Sequence, residues 1–160
     1  MRDVTTPPPK RKTSTGIIVL VVILAACPVM VAIIGIMAAI AIPSFIGYTR
    51  RSKTAEATSN LSELALRVES YRAEYGTYPT AAPTPLAPPC AVKEMWNPTD
   101  PGWAQIGFAP ADPLAYSYEV EGNPMRYVIR ARGDLDCDGT TSLFERSSDS
   151  PDPYIENELE

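Results

Sequence analysis

The sequence predicts an α+β protein in which a long N-terminal helix, membrane-spanning over its first half, packs on a small antiparallel β-sheet. Three observations carry this. Ile17 to Ile42 is a run of 26 residues without a charged side chain; as a helix rising about 1.5 Å per residue it exceeds the roughly 30 Å of a hydrocarbon core. Leu61, Leu64, Val68, Tyr71 and Tyr75 then recur at three- and four-residue spacing, as on a helix buried along one face. Beyond residue 114, short segments alternate apolar and polar side chains in the manner of half-buried strands.

The elements follow in order. Residues 1–16 hold Arg2, Lys10, Arg11 and Lys12 against Asp3 and read as a basic cytoplasmic leader. Residues 17–43 form the transmembrane helix, because the remainder of the chain is too small and too polar to enclose such a segment as a soluble core. Residues 44–146 make the globular head. Its helix continues to about residue 76, with Glu56, Glu63, Arg67, Glu69, Arg72 and Glu74 on the polar face and Gly76 and Pro79 as stop signals. Pro43 removes a backbone hydrogen bond and bends the helix, and Gly47 loosens the next turn. Residues 80–113 carry eight prolines and read as a long loop, packed in part through Trp96, Trp103, Ile106 and Phe108. An antiparallel meander follows: Ala115 to Glu121, a turn at Gly122-Asn123, Met125 to Arg132, and Thr141 to Arg146. Residues 147–160, with five acids and two prolines, read as a poorly ordered acidic tail.

Composition excludes several functions. The 160 residues include no histidine, so no Ser/His or Cys/His dyad and no His-ligated zinc can form, and three cysteines fall short of a four-cysteine zinc site. No recognisable pair of carboxylates replaces them, so the chain is not expected to be an enzyme. A net charge of -5 argues against nucleic acid as a partner, because phosphate neutralisation supplies most of that affinity. Lys10, Arg11 and Lys12 nearly balance Arg50, Arg51 and Lys53 across the span, so charge alone does not orient it. The cysteines decide: Cys90 and Cys137 form an even pair in the soluble part, as an oxidising compartment favours, which leaves the N-terminus in the cytoplasm. Two unpaired buried thiols are the alternative, and spacing does not choose between them.

The run Val31-Ala32-Ile33-Ile34-Gly35-Ile36-Met37-Ala38-Ala39-Ile40-Ala41-Ile42-Pro43 resembles the N-terminal helix of bacterial type IV pilins and type II secretion pseudopilins. Ser44-Phe45-Ile46-Gly47-Tyr48, Arg50-Arg51-Ser52-Lys53, Ala55-Glu56-Ala57, Asn60-Leu61, Leu64 and Tyr71 to Pro79 continue the likeness in the family's order over about half of the chain. The resemblance implies a filament or secretion-machinery subunit that is stored in the inner membrane and then packs helix to helix, its head in the periplasm or, once assembled, outside the cell. Gly35, Ala38, Ala39, Ala41 and Pro43 are the candidate assembly positions, since small side chains let helices approach closely. The expected partners are inner-membrane lipid, copies of itself or other pilin-like subunits, and the pilus or secretion assembly machinery. The chain departs from the family at its processing site. In the family's register the cleavage Gly, the first mature residue and the assembly Glu fall on Val21, Val22 and Ala26. These departures imply an accessory, initiating or membrane-retained subunit, and Gly16 becomes the candidate cleavage and methylation boundary. Leu24-Ala25-Ala26-Cys27 also has the form of a lipobox, so Cys27 is a candidate acylation site and the alternative function is a membrane-anchored periplasmic binding module. In that alternative the aromatics Trp96, Trp103, Phe108, Tyr116 and Tyr118 would contact the ligand.

Outside the membrane the most specific chemistry lies in Asp134-Leu135-Asp136-Cys137-Asp138-Gly139-Thr140-Thr141-Ser142-Leu143-Phe144-Glu145, which fits a calcium-loop pattern. Asp134, Asp136 and Asp138 are the first candidate calcium ligands and Glu145 the closing one. The flanks read as strands, so an EF-hand is not expected, and a hairpin with Asx-type turns is the plainer reading. No cofactor is required by either. A Cys90–Cys137 bridge would tie the proline-rich segment to this loop.

Overall fold

The computed structural model describes residues 14–90 and 92–159. The expected leader therefore lies, up to residue 13, outside the described residues. The chain divides into two compact units, Met1–Ser44 and Phe45–Glu160, and one helix, α1 (Thr15–Tyr75), contributes to both. In the first unit every large apolar side chain from Ile17 to Ile42 is about half exposed or more, which is what a segment meant for lipid or another helix presents.

In the second unit α1 buries Thr54, Ala57, Leu61, Leu64, Ala65 and Val68. The stripe ends there. Tyr71 is half-buried and Tyr75 is 59% exposed, a correction to the expected core: Gly76, at φ 76°, turns the chain left-handed after its N–H bonds to the Arg72 carbonyl. Facing the stripe is a five-stranded antiparallel sheet of order β1-β2-β3-β4-β5: β1 (Ala81–Thr84), β2 (Ser117–Gly122), β3 (Tyr127–Gly133), β4 (Ser142–Ser147) and β5 (Ser150–Glu156). Val120 opposes Ile129 and Ala131 opposes Phe144, so alternate residues of neighbouring strands enter one core with Leu61, Leu64 and Val68.

Two strands and one helix correct the sequence reading. The tail is not loose: β5 pairs with β4, Ile155 opposite Phe144, and its prolines are tolerated because an edge strand needs donors on one side only. The proline-rich segment is not all loop. It contributes β1, also an edge, and a short α2 (Gly102–Ile106), entered through Pro101 and closed by left-handed Gly107, whose N–H donates to the Trp103 carbonyl. The β2–β3 turn lies one step later than expected. Gly122 remains paired with Tyr127, and Asn123 closes the loop by accepting the N–H groups of Met125 and Arg126 on its side chain, each at 2.9 Å. Gly122 has no room for a side chain, since a Cβ would stand 2.1 Å from the Pro79 carbonyl oxygen.

Candidate functional site

On the apolar part of α1, at about 100° per residue, Ala38 and Ala39 flank Gly35 by roughly 60° and 40°, and Ala41 lies roughly 60° beyond Ala38, so the small residues spread over about 160° of the helix. A Cβ at Gly35 would meet nothing within 4 Å, so glycine there is not demanded by the chain's own packing. Pro28 and Pro43 both lie inside α1. Gly16 sits in the first turn, where the N–H groups of Ile17 and Ile18 reach the Ser14 carbonyl at 2.9 and 3.3 Å, and Cys27 is an exposed free thiol.

The carboxylate loop joins β3 to β4. One oxygen from each of Asp134, Asp136 and Asp138 lies within 4.8 Å of the others. Each carboxylate already has a partner. Asp134 accepts the N–H of Cys137 at 2.7 Å and that of Gly139 at 3.2 Å, Asp138 accepts the N–H of Thr140 at 2.6 Å, and Asp136 pairs with Arg50 at 2.8 Å. These are Asx-type turns, and they carry Cys137 and Gly139 at φ 65° and 88°. The backbone N–H and hydroxyl of Thr140, with Arg50 adding its charge, hold the Asp138 carboxyl below the ordinary carboxylate range. Glu145, the expected closing ligand, is held elsewhere. The β3–β4 register sets it opposite Arg130, whose Nε donates to it at 2.8 Å. Burial works against the Arg130 charge, but the carboxylates of Glu119, Glu145 and Glu121 outweigh it and raise its pKa above the usual arginine value. The loop therefore offers a cation three carboxylates and folds on hydrogen bonds of its own.

Cys90 and Cys137 are bonded, their Cα atoms 5.3 Å apart, and Cys90 also bridges Asp134 through the backbone. The polar ties to α1 were missed by sequence reasoning, those of Arg50, Glu56 and Asn60 among them. Arg50 reaches both Asp136 and the Leu159 carbonyl, at 2.8 and 2.9 Å. Glu56 accepts the Ala115 N–H at 2.8 Å and the Lys93 ammonium at 2.6 Å. Asn60 donates to the Tyr118 hydroxyl at 2.8 Å. The available signal was position: Glu56 and Asn60 each stand beside a residue of the buried stripe. Of the five aromatics considered for a ligand surface, Trp103, Phe108, Tyr116 and Tyr118 are buried. Trp96 lies edge-on to Trp103 and Phe108, so this cluster serves the core.

A membrane-length apolar segment, carried on the same helix that packs on an antiparallel head with a disulfide-tied β3–β4 loop, is a pilin-like arrangement. Comparison with known proteins agrees. Residues 43–100 match the family model described as type IV minor pilin ComP, DNA uptake sequence receptor. Over 107 residues the chain is 35% identical to the type IV major pilin protein PilA of Myxococcus xanthus (strain DK1622), an overlap covering 67% of this chain and 39% of that one. The chain thus spans about two fifths of the length of this relative. No solved structure matches significantly. These likenesses are to pilins and not to enzymes.

Proposed function

We propose that this protein is a subunit or accessory component of a type IV pilus or of a type II secretion pseudopilus. In this reading residues 1–16 face the cytoplasm, 17–43 rest in the inner membrane as a single pass, and the head from 44 onward stands in the periplasm. The observation that carries it is the charge-free stretch Ile17–Ile42, exposed on every turn and borne by the helix whose later turns form the core of a folded head. Its lipid surroundings are exchanged for like helices when the assembly machinery draws it out, with Gly35, Ala38 and Ala39 as the close-approach face. Val21, Val22 and Ala26, in place of the residues that processing and bulk assembly use, favour an accessory or initiating role.

DNA reception belongs to the description of the matching family. Here the chain beyond Pro43 carries 10 basic against 18 acidic residues, which opposes nucleic acid as a partner. Calcium is at most a weak ligand of Asp134, Asp136 and Asp138 in this scheme, in the roughly 10⁻⁴–10⁻³ M range of extracellular modules.

The test is the intact mass and N-terminal sequence of the protein from native membranes, together with its presence in sheared filament or machinery fractions. Co-fractionation with other pilin-like subunits is expected. A chain beginning at acylated Cys27, or one that leaves the membrane only as a monomer in detergent, would replace this reading with that of an anchored binding module.

A further inference from the structure

We propose that Phe45, Tyr48 and Arg51 form an interfacial anchor that seats the unassembled chain in the phosphate headgroup layer of a phospholipid membrane. The proposal rests on the membrane-spanning reading of Ile17–Ile42 and fixes where that span stops.

The span alone does not set its own depth. Its 26 residues, about 39 Å as a helix, exceed a hydrocarbon core of about 30 Å, so it can slide by roughly 9 Å without exposing or burying a charge. Something at one end must choose. Phe45 and Tyr48 follow directly in the chain, 70% and 75% exposed, far too open to be part of the head's core. Counted from Ile42 they rise about 4.5 and 9 Å, across and just past a headgroup flank of about 5–7 Å, and Arg51, about 13.5 Å up, leans its long side chain back toward it as helical side chains do. Tyrosine suits that layer, with an apolar ring and a polar tip.

Charge supports the same face. Arg50 is already occupied by Asp136 and the Leu159 carbonyl, on the side of α1 that carries Thr54, Ala57 and Leu61. At about 100° per residue Phe45 and Tyr48 lie roughly 140° and 160° from Arg50, and so away from the acidic loop, with Arg51 on the flank at roughly 100°. Arg51 is exposed and makes no ion pair among the described residues, and no acid occurs between Asp3 and Glu56. A free guanidinium one turn beyond a tyrosine, after an apolar span, complements lipid phosphate. A second copy of the chain is the less fitting occupant, since the close-approach face at Gly35, Ala38 and Ala39 is built from small side chains instead.

The experiment uses the full chain in vesicles of phosphatidylethanolamine and phosphatidylglycerol, with Cys90–Cys137 oxidised. A fluorophore on native Cys27 reports the span. A second, on Ser52→Cys in a Cys27→Ser background, reports the interface through iodide quenching from the water side. Lipid-borne quenchers should reach the Cys27 probe, and F45A/Y48A/R51Q should raise iodide quenching of the Ser52 probe about threefold, with the head's near-ultraviolet dichroism unchanged. Arg51→Gln alone should raise it less, and only in vesicles containing the anionic lipid. Unchanged quenching in the triple variant overturns the anchor. Quenching that tracks the protein-to-lipid ratio also overturns it and assigns the face to a second copy. A Cys27 probe beyond the reach of lipid quenchers sinks the membrane-spanning reading itself, and the anchor with it.

Discussion

Glu56→Ala severs the tie between α1 and the segment that enters β2. Two interactions go at once, and they differ in worth. The Ala115 N–H, on a residue 5% exposed, loses its 2.8 Å carboxylate acceptor and is left without a partner, a loss of about 1.5–3 kcal/mol. The Lys93 ammonium loses a 2.6 Å pair, but its side chain is 46% exposed and water takes over, so this part is worth roughly 0–1 kcal/mol. Glu56→Ala should therefore destabilise by about 2–3 kcal/mol, which for a head of this size lowers Tm by roughly 8–12 °C. Glu56→Gln keeps an acceptor oxygen for Ala115 and should cost about 1 kcal/mol or less; Lys93→Ala should cost about 0.5 kcal/mol. Thermal unfolding of the full chain in detergent, followed by near-ultraviolet circular dichroism of the buried aromatics, measures all three. If Glu56→Ala and Lys93→Ala fall together within about 1 °C, the backbone bond contributes nothing and the reasoning is refuted.

Other perturbations probe other parts of the head. Burial pushes the Tyr116 and Tyr118 hydroxyls well above the ordinary tyrosine range, so their contribution is whole below about pH 10 and is lost as pH rises beyond it. Tyr118→Phe should lose about 1 kcal/mol at neutral pH with the Asn60 bond, yet show a shallower decline in stability above pH 10 in a pH-dependent melt. Replacing Cys90 and Cys137 together by serine reopens a closed loop with a sequence separation of 47, about 4 kcal/mol in the chain-entropy model, and dithiothreitol should lower the wild-type Tm to match. Chelation by EGTA should leave Tm within about 1 °C, because the loop is closed by its own hydrogen bonds. Calcium at about 5 mM should raise Tm by a few degrees in the wild type and not in Asp138→Asn.

What the sequence disclosed depended on how far apart the interacting residues stand. The charge-free span, the Leu61-Leu64-Val68 stripe and the three central strands are local patterns, and the structure contains them within a few residues of their expected ends. The pairing of Cys90 with Cys137 and the clustering of the three aspartates were legible because few alternatives existed. β1 and β5 were not legible. Each exists only because a partner strand fixes it, and each carries proline, which argues against strand until an edge is known to be available. Arg50 with Asp136, and Glu56 with Ala115, join residues 86 and 59 positions apart, a distance over which no periodicity runs. Glu145 stands apart from the aspartates for a related reason: motif spacing counts along the chain, whereas the β3–β4 register sets that side chain opposite Arg130.

The two edge strands bear on how such a head joins others. Unpaired strand edges invite pairing with another chain, and both edges here carry features that oppose it. On β1 the Ala82 N–H is taken by Asp100 at 3.3 Å, the Ala82 carbonyl by the Trp103 indole at 2.9 Å, and Pro83 has no N–H to offer. Asp100 and Trp103 thus occupy the edge groups of Ala82. On β5 the residues Pro151 and Pro153 remove the N–H at alternate positions of a seven-residue strand. These groups belong to the head's own fold and oppose extension of the sheet from copy to copy. The apolar stretch of α1 differs in this respect, since Ile17 to Ile42 buries none of its large side chains within the chain. Under the proposed assembly the helix is then the route left for self-association, and replacing Pro151 and Pro153 should add a strand-mediated route without altering the helical one.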